Sequence, residues 1–464
     1  MAEQYDVTII GAGPGGYVAG IRAAQLGLKA CVIEKDEPGG VCLNWGCIPS
    51  KSLIHQAEQF ISLREMEAVG VTVDRSSLDY PKVQAKSRQA VKALTGGVRG
   101  LLKKNKVDLI KGTASIAAKG LVKVDGDKEV KSKNIIIATG SKAMTVPGFE
   151  FDEKQVLSSD GILAATELPQ SMIILGAGAI GCEFAFVMNA FGVRVTLVEM
   201  AEHILPTEDF EAAEVLKASF EKEGIVVLAG YRAKTLKKAQ GGVSVTVEDS
   251  KGDQQELKAD TTLVVFGRVP ITDGIGLKEV GVTTDERGYI RVGDYCETNV
   301  NGIFAIGDVT STPALAHVAS KEGEIAVEFI AGHEPAARNV DPDLVPSAIY
   351  CEPQVAGIGL REDQAKRDGI KYKKSVFPYR GAGKTVAVDK TDGLVKVLTD
   401  PGTGELLGAH IVGHNATELI HELLLAKSSE LLPQDIADMI HAHPTISEAV
   451  METLRGVDGQ PIHM

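Results

Sequence analysis

The chain of 464 residues carries 49 Lys and Arg against 62 Asp and Glu, a formal charge of −13. That balance argues against non-specific binding to nucleic acid or anionic membrane, and no apolar run of about 18 residues offers a membrane span. The length accommodates about three domains, and 50 glycines suit a fold built on tight strand-to-helix turns.

No signal-peptide pattern precedes the first apolar segment, and six cysteines in such a chain predict a reducing, cytoplasmic setting. A cysteine pair there is more often catalytic than structural. Residues 6–10 predict a short strand. Gly11-Ala12-Gly13-Pro14-Gly15-Gly16 follows, then a helix over about 17–26 and a second strand ending at Glu34. In a G-x-G-x-x-G turn, Gly11, Gly13 and Gly16 let the backbone approach a pyrophosphate. The helix N-terminus favours that anion, and the carboxylate accepts from a ribose hydroxyl.

Five residues beyond Glu34 begins Gly39-Gly40-Val41-Cys42-Leu43-Asn44-Trp45-Gly46-Cys47-Ile48-Pro49-Ser50-Lys51. A disulfide needs its Cα atoms within roughly 4.4–6.8 Å, whereas five helical residues rise about 7.5 Å. If Cys42 and Cys47 are bonded, the segment between them is not plain helix; Asn44 and Gly46 suit a distorted turn. Residues 48–51 read as the turn into a helix reaching about Leu63, whose dipole favours a thiolate at its start. Two inert cysteines or a structural bridge fit the same spacing. A zinc knuckle lacks a second ligand pair nearby.

The nucleotide-binding pattern recurs 165 residues later. Residues 171–175 form a strand, Gly176, Gly178 and Gly181 the turn, and 195–199 a strand closing on Glu199. One such turn is weak evidence, but two complete units with their acids in register imply two dinucleotides. Met200-Ala201-Glu202-His203 offers no arginine for a 2′-phosphate, so the second site should prefer NAD. Residues 300–308 predict a third strand, ending at Asp308, with a helix from about 317 to 330. The proline-bearing stretch 333–346 marks a boundary. Beyond it the reading is α+β, with strands at 354–359, 373–377, 394–398 and 406–412 and helices at 417–427 and 446–454.

His443 is the candidate general acid/base, because an imidazole can take a thiol proton near neutral pH. Glu448 could orient that ring, or could close a Thr445-Ile446-Ser447-Glu448 capping box instead. His441 and His443 have no further ligand cluster nearby, so no metal site is expected.

These motifs, in this order, resemble the flavin-dependent pyridine nucleotide–disulfide reductase family over essentially the whole chain. Residues 39–51 resemble its redox-disulfide motif. Ile137-Ala138-Thr139-Gly140-Ser141, Phe266-Gly267-Arg268-Val269-Pro270, Ile306-Gly307-Asp308-Val309 and Leu315-Ala316-His317 resemble its internal signatures, and residues 441–448 its C-terminal motif. The branch that oxidises dihydrolipoamide is the most similar. The resemblance implies an α/β chain with two Rossmann-like domains, for FAD and NAD, and a C-terminal α+β dimerisation domain. The implied limits are 1–145 for the FAD domain, 146–270 for the NAD domain, 271–340 for the return to the FAD domain and 341–464 for dimerisation.

It implies one tight, non-covalent FAD per subunit, held by Gly11, Gly13, Gly16, Glu34, Lys51, Ala114, Thr139, Gly140, Ser141, Asp308, Ala314, Leu315, Ala316 and His317. NAD+ or NADH would be the co-substrate, at Gly176, Gly178, Ile180, Gly181, Glu199 and Gly267. Cys42 and Cys47 would be the redox disulfide, with Cys42 exchanging with substrate and Cys47 against the flavin. His443, with Glu448, would approach from the other subunit of a homodimer. Lys51 would lie beside the flavin with Glu183 able to bond it, and Trp45 near the same site. The implied partners are lipoyl domains of 2-oxo acid dehydrogenase or glycine cleavage complexes. Val41 and Trp45 depart from the commonest motif without removing a reacting group. Ala179 stands where glutathione reductases carry a tyrosine. A glutathione- or mycothiol-type reductase using NAD(P)H, and a flavoprotein with a mainly structural role, are the alternatives.

Overall fold

The computed structural model describes residues 4–463. The chain divides into two compact units. One comprises the residues through Ser52 with Lys82–Met144 and Gly267–Val340; the other comprises Leu53–Pro81, Thr145–Phe266 and the residues from Asp341 on.

The first unit is organised by a seven-stranded sheet. The strands Asp108–Lys111, Ala30–Glu34, Gln4–Ile10 and Lys128–Ile137 lie side by side in parallel. The long strand Lys128–Ile137 has two neighbours on its far side. Its first half pairs antiparallel with Leu121–Val124, and its last three residues pair parallel with Ile303–Ala305. Ile135, Ile136 and Ile137 are fully buried, as expected of a β-branched run covered on both faces of a parallel sheet. The helix Pro14–Gln25 crosses the helix Ala316–Ile330 at glycines. A Cβ on Gly15 would sit 2.9 Å from the Ala319 carbonyl oxygen, and one on Gly323 would sit 2.8 Å from that of Gly15. The first helix starts at Pro14, earlier than residue 17, because proline is pre-organised for a first helical turn.

In the second unit the strands Val226–Ala229, Arg194–Glu199, Ser171–Leu175, Thr261–Val264 and Val156–Leu157 form a parallel sheet in that order. An antiparallel three-stranded sheet and a C-terminal five-stranded antiparallel sheet complete it. The last sheet uses Ser347–Ile349, Gln354–Gly359, Leu406–Gly413, Leu394–Thr399 and Lys373–Pro378 in order. Val395 and Val397 point into a core with Ile411, Ile420, Leu423 and Val450. Strand alternation puts Lys396 on the other face, also buried, where Asp209, Glu211 and Glu362 surround its ammonium at 2.9, 2.8 and 2.6 Å. Burial opposes that charge, but the carboxylates raise the Lys396 pKa above its ordinary value, as a buried cation requires. The two parallel sheets with helices, followed by an antiparallel sheet with helices, make the fold α/β with an α+β C-terminal part. Among the described residues no helix is long and apolar enough to cross a membrane.

Candidate active site

The two glycine turns are near-copies. Gly11 has φ +105° and Gly176 φ +104°, in the region that favours glycine. A Cβ on Gly16 would collide with the Gly11 carbonyl, and one on Gly181 with the Gly176 carbonyl. Each following helix is capped by a glycine, Gly13 or Gly178, and no side chain caps that end. The closing acids repeat as well. Glu34 accepts the Ala12 N–H at 2.7 Å and the Asp36 N–H at 2.8 Å, one on each oxygen. Glu199 accepts the Ala177 N–H at 2.7 Å and the Ala201 N–H at 2.9 Å. Each carboxylate oxygen keeps a further lone pair for a ribose hydroxyl. A Cβ on Gly178 would have no atom within 4 Å, which is the open approach a pyrophosphate needs. Both cradles thus fit dinucleotides. Ile180 lies in the first turn of the helix Ala179–Ala190.

Within the first unit the structure links several of the residues expected to meet a flavin. Gly11 lies against the Ala138 carbonyl, just before Thr139 and Gly140. Thr139 donates to the Ile271 carbonyl at 2.7 Å. Ser141 donates to Asp308 Oδ2 at 2.5 Å and accepts from Arg268 Nε at 2.7 Å. Gly267, whose φ is +142°, precedes that arginine. Asp308 lies in the short turn Gly307–Val309. Ala114, itself buried, opens the strand Ala114–Ala118 two residues after Gly112, whose N–H is bonded to the Glu34 carbonyl. Ala314 and His317 are exposed, and Leu315 and Ala316 half-buried, at the start of the helix Ala316–Ile330. Two residues not expected at the site also act here. Arg268 pins Ser141 beside Asp308. Buried Glu322 receives the Gly307 N–H at 2.6 Å; burial raises its carboxyl above the usual range, against the pull of that bond.

Cys42 and Cys47 are disulfide-bonded, with Cα atoms 4.7 Å apart. The segment is two helices rather than a turn leading into one. Cys42 and Asn44 lie inside Gly40–Trp45, and Cys47 is the first residue of Cys47–Ala68. Between the two cysteines, Gly46, at φ −152° and ψ −111°, leaves helical geometry. That single break brings the Cα atoms closer than a continuous helix allows. Residues 48–51, Lys51 included, are the first turns of the second helix, where Pro49 lacks no needed donor. Asn44 ties its amide to the carbonyls of Pro38 and Gly40. The Arg88 guanidinium lies 4.6 Å from the Trp45 ring centroid and donates to the Asn44 carbonyl at 2.8 Å. Arg88 lies 41 residues beyond Cys47, so only the fold reveals its place at this loop. Gly39 donates to the Ala12 carbonyl, and Gly40 packs on Gly13, which joins the cystine to the first cradle. The other four cysteines are buried and outside any disulfide. Burial pushes the thiols of Cys182 and Cys351 well above their ordinary pKa, which suppresses thiolate chemistry there.

In the second unit, His443 Nδ1 lies 2.9 Å from Glu448 Oε1, and the Thr445 N–H donates to Glu448 Oε2 at 2.9 Å. One carboxylate therefore orients the ring and caps the turn, a combination that the choice between the two had not anticipated. Thr445 does not complete the box, since its hydroxyl donates to the Ala442 carbonyl. The helix starts at Glu448, two residues later than expected. Burial opposes the Glu448 charge, but the Thr445 N–H and the His443 ring together hold its carboxyl below the usual range. The His443 side chain is 75% exposed. His441 Nε2 meets Glu422 Oε1 at 2.9 Å. Glu183 is buried and accepts the Tyr350 N–H at 3.2 Å.

Two dinucleotide cradles, one of them continuous with a cystine at a helix start, define a nucleotide-dependent disulfide oxidoreductase. Residues 5–323 match the pyridine nucleotide-disulphide oxidoreductase family and residues 345–454 its dimerisation domain, so the chain belongs to that family. It is 44% identical to dihydrolipoyl dehydrogenase 2, mitochondrial, of Arabidopsis thaliana, over all of this chain and 92% of that one. It is 43% identical to a dihydrolipoyl dehydrogenase of Bacillus subtilis over the full length of both. The crystal structure of LpdA from Mycobacterium tuberculosis superposes with a TM-score of 0.89 at 26% identity, covering 98% of this chain and 99% of that one. The dihydrolipoyl dehydrogenases of this family use FAD and NAD(H).

Proposed function

We propose that the chain oxidises protein-bound dihydrolipoamide and reduces NAD+. The observation that carries this reading is the Cys42–Cys47 cystine joined through Gly39 and Gly40 to the first cradle, in a chain so similar to dihydrolipoyl dehydrogenases. His443, oriented by Glu448, takes a proton from one substrate thiol. The thiolate attacks Cys42 Sγ, the Cys42–Cys47 bond breaks, and Cys47 leaves as a thiolate. The second substrate thiol displaces Cys42 from the mixed disulfide, so substrate leaves as the cyclic disulfide and the protein holds a dithiol. FAD, when bound at the first cradle, supplies the two-electron carrier between that dithiol and NAD+.

Gly11, Gly13, Gly16, Glu34, Ala114, Thr139, Gly140, Ser141, Asp308 and residues 314–317 would hold FAD, in a domain formed by residues 1–145 and 271–340. Gly176, Gly178, Ile180, Gly181, Glu199 and Gly267 would hold NAD+, and no arginine follows Glu199 to favour NADP. Lys51 and Glu183 are proposed as an electrostatic pair serving the flavin. The family's dimerisation domain supports a homodimer in which His443 serves the partner's cystine. Lipoyl domains of 2-oxo acid dehydrogenase or glycine cleavage complexes are the proposed partners. Four cysteines outside any disulfide favour a reducing cytoplasm.

Anaerobic titration with dihydrolipoamide tests the reading. The yellow protein should develop a long-wavelength thiolate-to-flavin band, and Cys47→Ser should keep its flavin but lose dithiol oxidation. Normal turnover in that variant would sink the mechanism. His443→Gln should slow the dithiol half-reaction by about 10²–10⁴-fold near neutral pH, and a loss below tenfold would remove it as the base.

A further inference from the structure

We propose that the exposed face of the helix Tyr80–Lys104 docks an acidic protein domain and so orients the dithiol that domain carries toward the cystine. The proposal rests on the function above and adds the chemistry of the partner's surface. Although the chain holds 62 Asp and Glu, none falls between Tyr80 and Val107. Ser87, Val91, Thr95, Val98 and Leu102 form the buried stripe of this helix. Lys86, Lys92, Lys103 and Lys104 are exposed on other sides of it, and among the described residues they meet no carboxylate.

Ordinary solvation does not account for this pattern. A surface helix gains from opposite charges four residues apart, whereas Lys82 and Lys86, Arg88 and Lys92, and Arg99 and Lys103 repeat the same sign at that spacing. The first turn holds no acid, and Lys82 and Lys86 occupy the end where the helix dipole disfavours cations. Lys103 and Lys104 suit the dipole; the lysines of the N-terminal half do not. Arg99 is met by Glu37, but Lys86, Lys92, Lys103 and Lys104 leave the helix with a charge excess.

Its position supplies the use. Arg88 stacks on Trp45 and donates to Asn44, and Thr95 donates to the Asn44 side chain at 3.4 Å. Asn44 and Trp45 lie between the two cysteines, so the basic face flanks the redox loop within the same unit. The chain's net charge of −13 disfavours an acidic partner on average, which makes an acid-free basic segment the exception. A negatively charged domain is thus attracted to a face whose helix touches the segment between the two cysteines.

The test compares the FAD-loaded enzyme with a variant carrying Lys86→Gln, Lys92→Gln, Lys103→Gln and Lys104→Gln. The substrates are a reduced lipoylated domain of net negative charge and free dihydrolipoamide, which is uncharged. At low ionic strength kcat/KM for the domain should fall about tenfold in the variant. Its kcat and the kinetics of free dihydrolipoamide should stay unchanged, and the salt dependence seen with the domain should flatten. An unchanged kcat/KM for the domain, or an equal fall for both substrates, would overturn the proposal. Binding of the unaltered enzyme to duplex DNA or anionic vesicles, lost in the variant, would assign the face to another polyanion and overturn it equally. Absence of free dihydrolipoamide oxidation by the unaltered enzyme would instead defeat the functional reading itself.

Discussion

The two glycine cradles share their backbone geometry but differ in their surroundings. At the first, Gly13 faces Gly40 at van der Waals distance, Glu34 is buried, and the helix behind it is crossed closely by Ala316–Ile330. At the second, Gly178 opens on empty space and Glu199 is only half-buried. The first cradle is enclosed by the segment that carries the cystine. The second leaves an approach, although the Leu205 N–H returns to its turn at the Ala177 carbonyl. Enclosure suits a resident cofactor and openness a co-substrate that must leave on every cycle. Local sequence therefore sets which ligand class is bound, and packing sets how long it stays.

The strongest way to break that comparison is to damage each cradle in the same manner. Gly16→Ala drives a Cβ into the Gly11 carbonyl, and should yield a colourless protein without turnover. Gly181→Ala makes the matching collision in the second cradle. It should retain flavin absorbance and reduction by dihydrolipoamide while NAD+ reduction falls about 10²-fold. If both half-reactions fall together in Gly181→Ala, the separation of roles fails. Next in size, Glu199→Ala removes the acceptor of the Ala177 and Ala201 N–H groups and should raise KM for NAD+ about tenfold, with FAD content unchanged.

Gly178→Ala should give a smaller rise in KM and leave the melting temperature unaltered, because its new methyl meets no protein atom. Gly40→Ala should instead lower the melting temperature, since its φ is +58° and a Cβ would lie 2.6 Å from Gly13 Cα. Equal thermal effects would remove the contrast in enclosure. The smallest expected effect concerns Glu448, which divides its two oxygens as Glu34 and Glu199 do. Its carboxyl lies below the usual 4.5 in the folded chain. Its contribution to stability should be complete above about pH 4.5 and be lost as pH falls through the lowered folded value. The stability gap between the unaltered protein and Glu448→Gln should accordingly close in acid, as thermal melts across that range would show.

The sequence by itself determined what is local: the two strand–turn–helix–strand–acid units, a cysteine spacing that a bond would make incompatible with a continuous helix, and His443 and Glu448 five residues apart, whose pairing it left open against a capping box. Backbone conformation and hydrogen bonds within a few residues control these features, and glycine, proline and cysteine leave clear marks of them. It also showed the charge-sorted segment 80–107, without showing what that segment faces. Only the tertiary structure placed Arg88 over Trp45, Arg268 on Ser141 and Glu322 under Gly307. Each of those contacts joins residues dozens of positions apart, or, for Glu322, follows from how one helix packs on a strand end. No periodicity encodes such meetings, because they depend on the order of strands in a sheet and on close helix crossings that the sum of many burial terms selects.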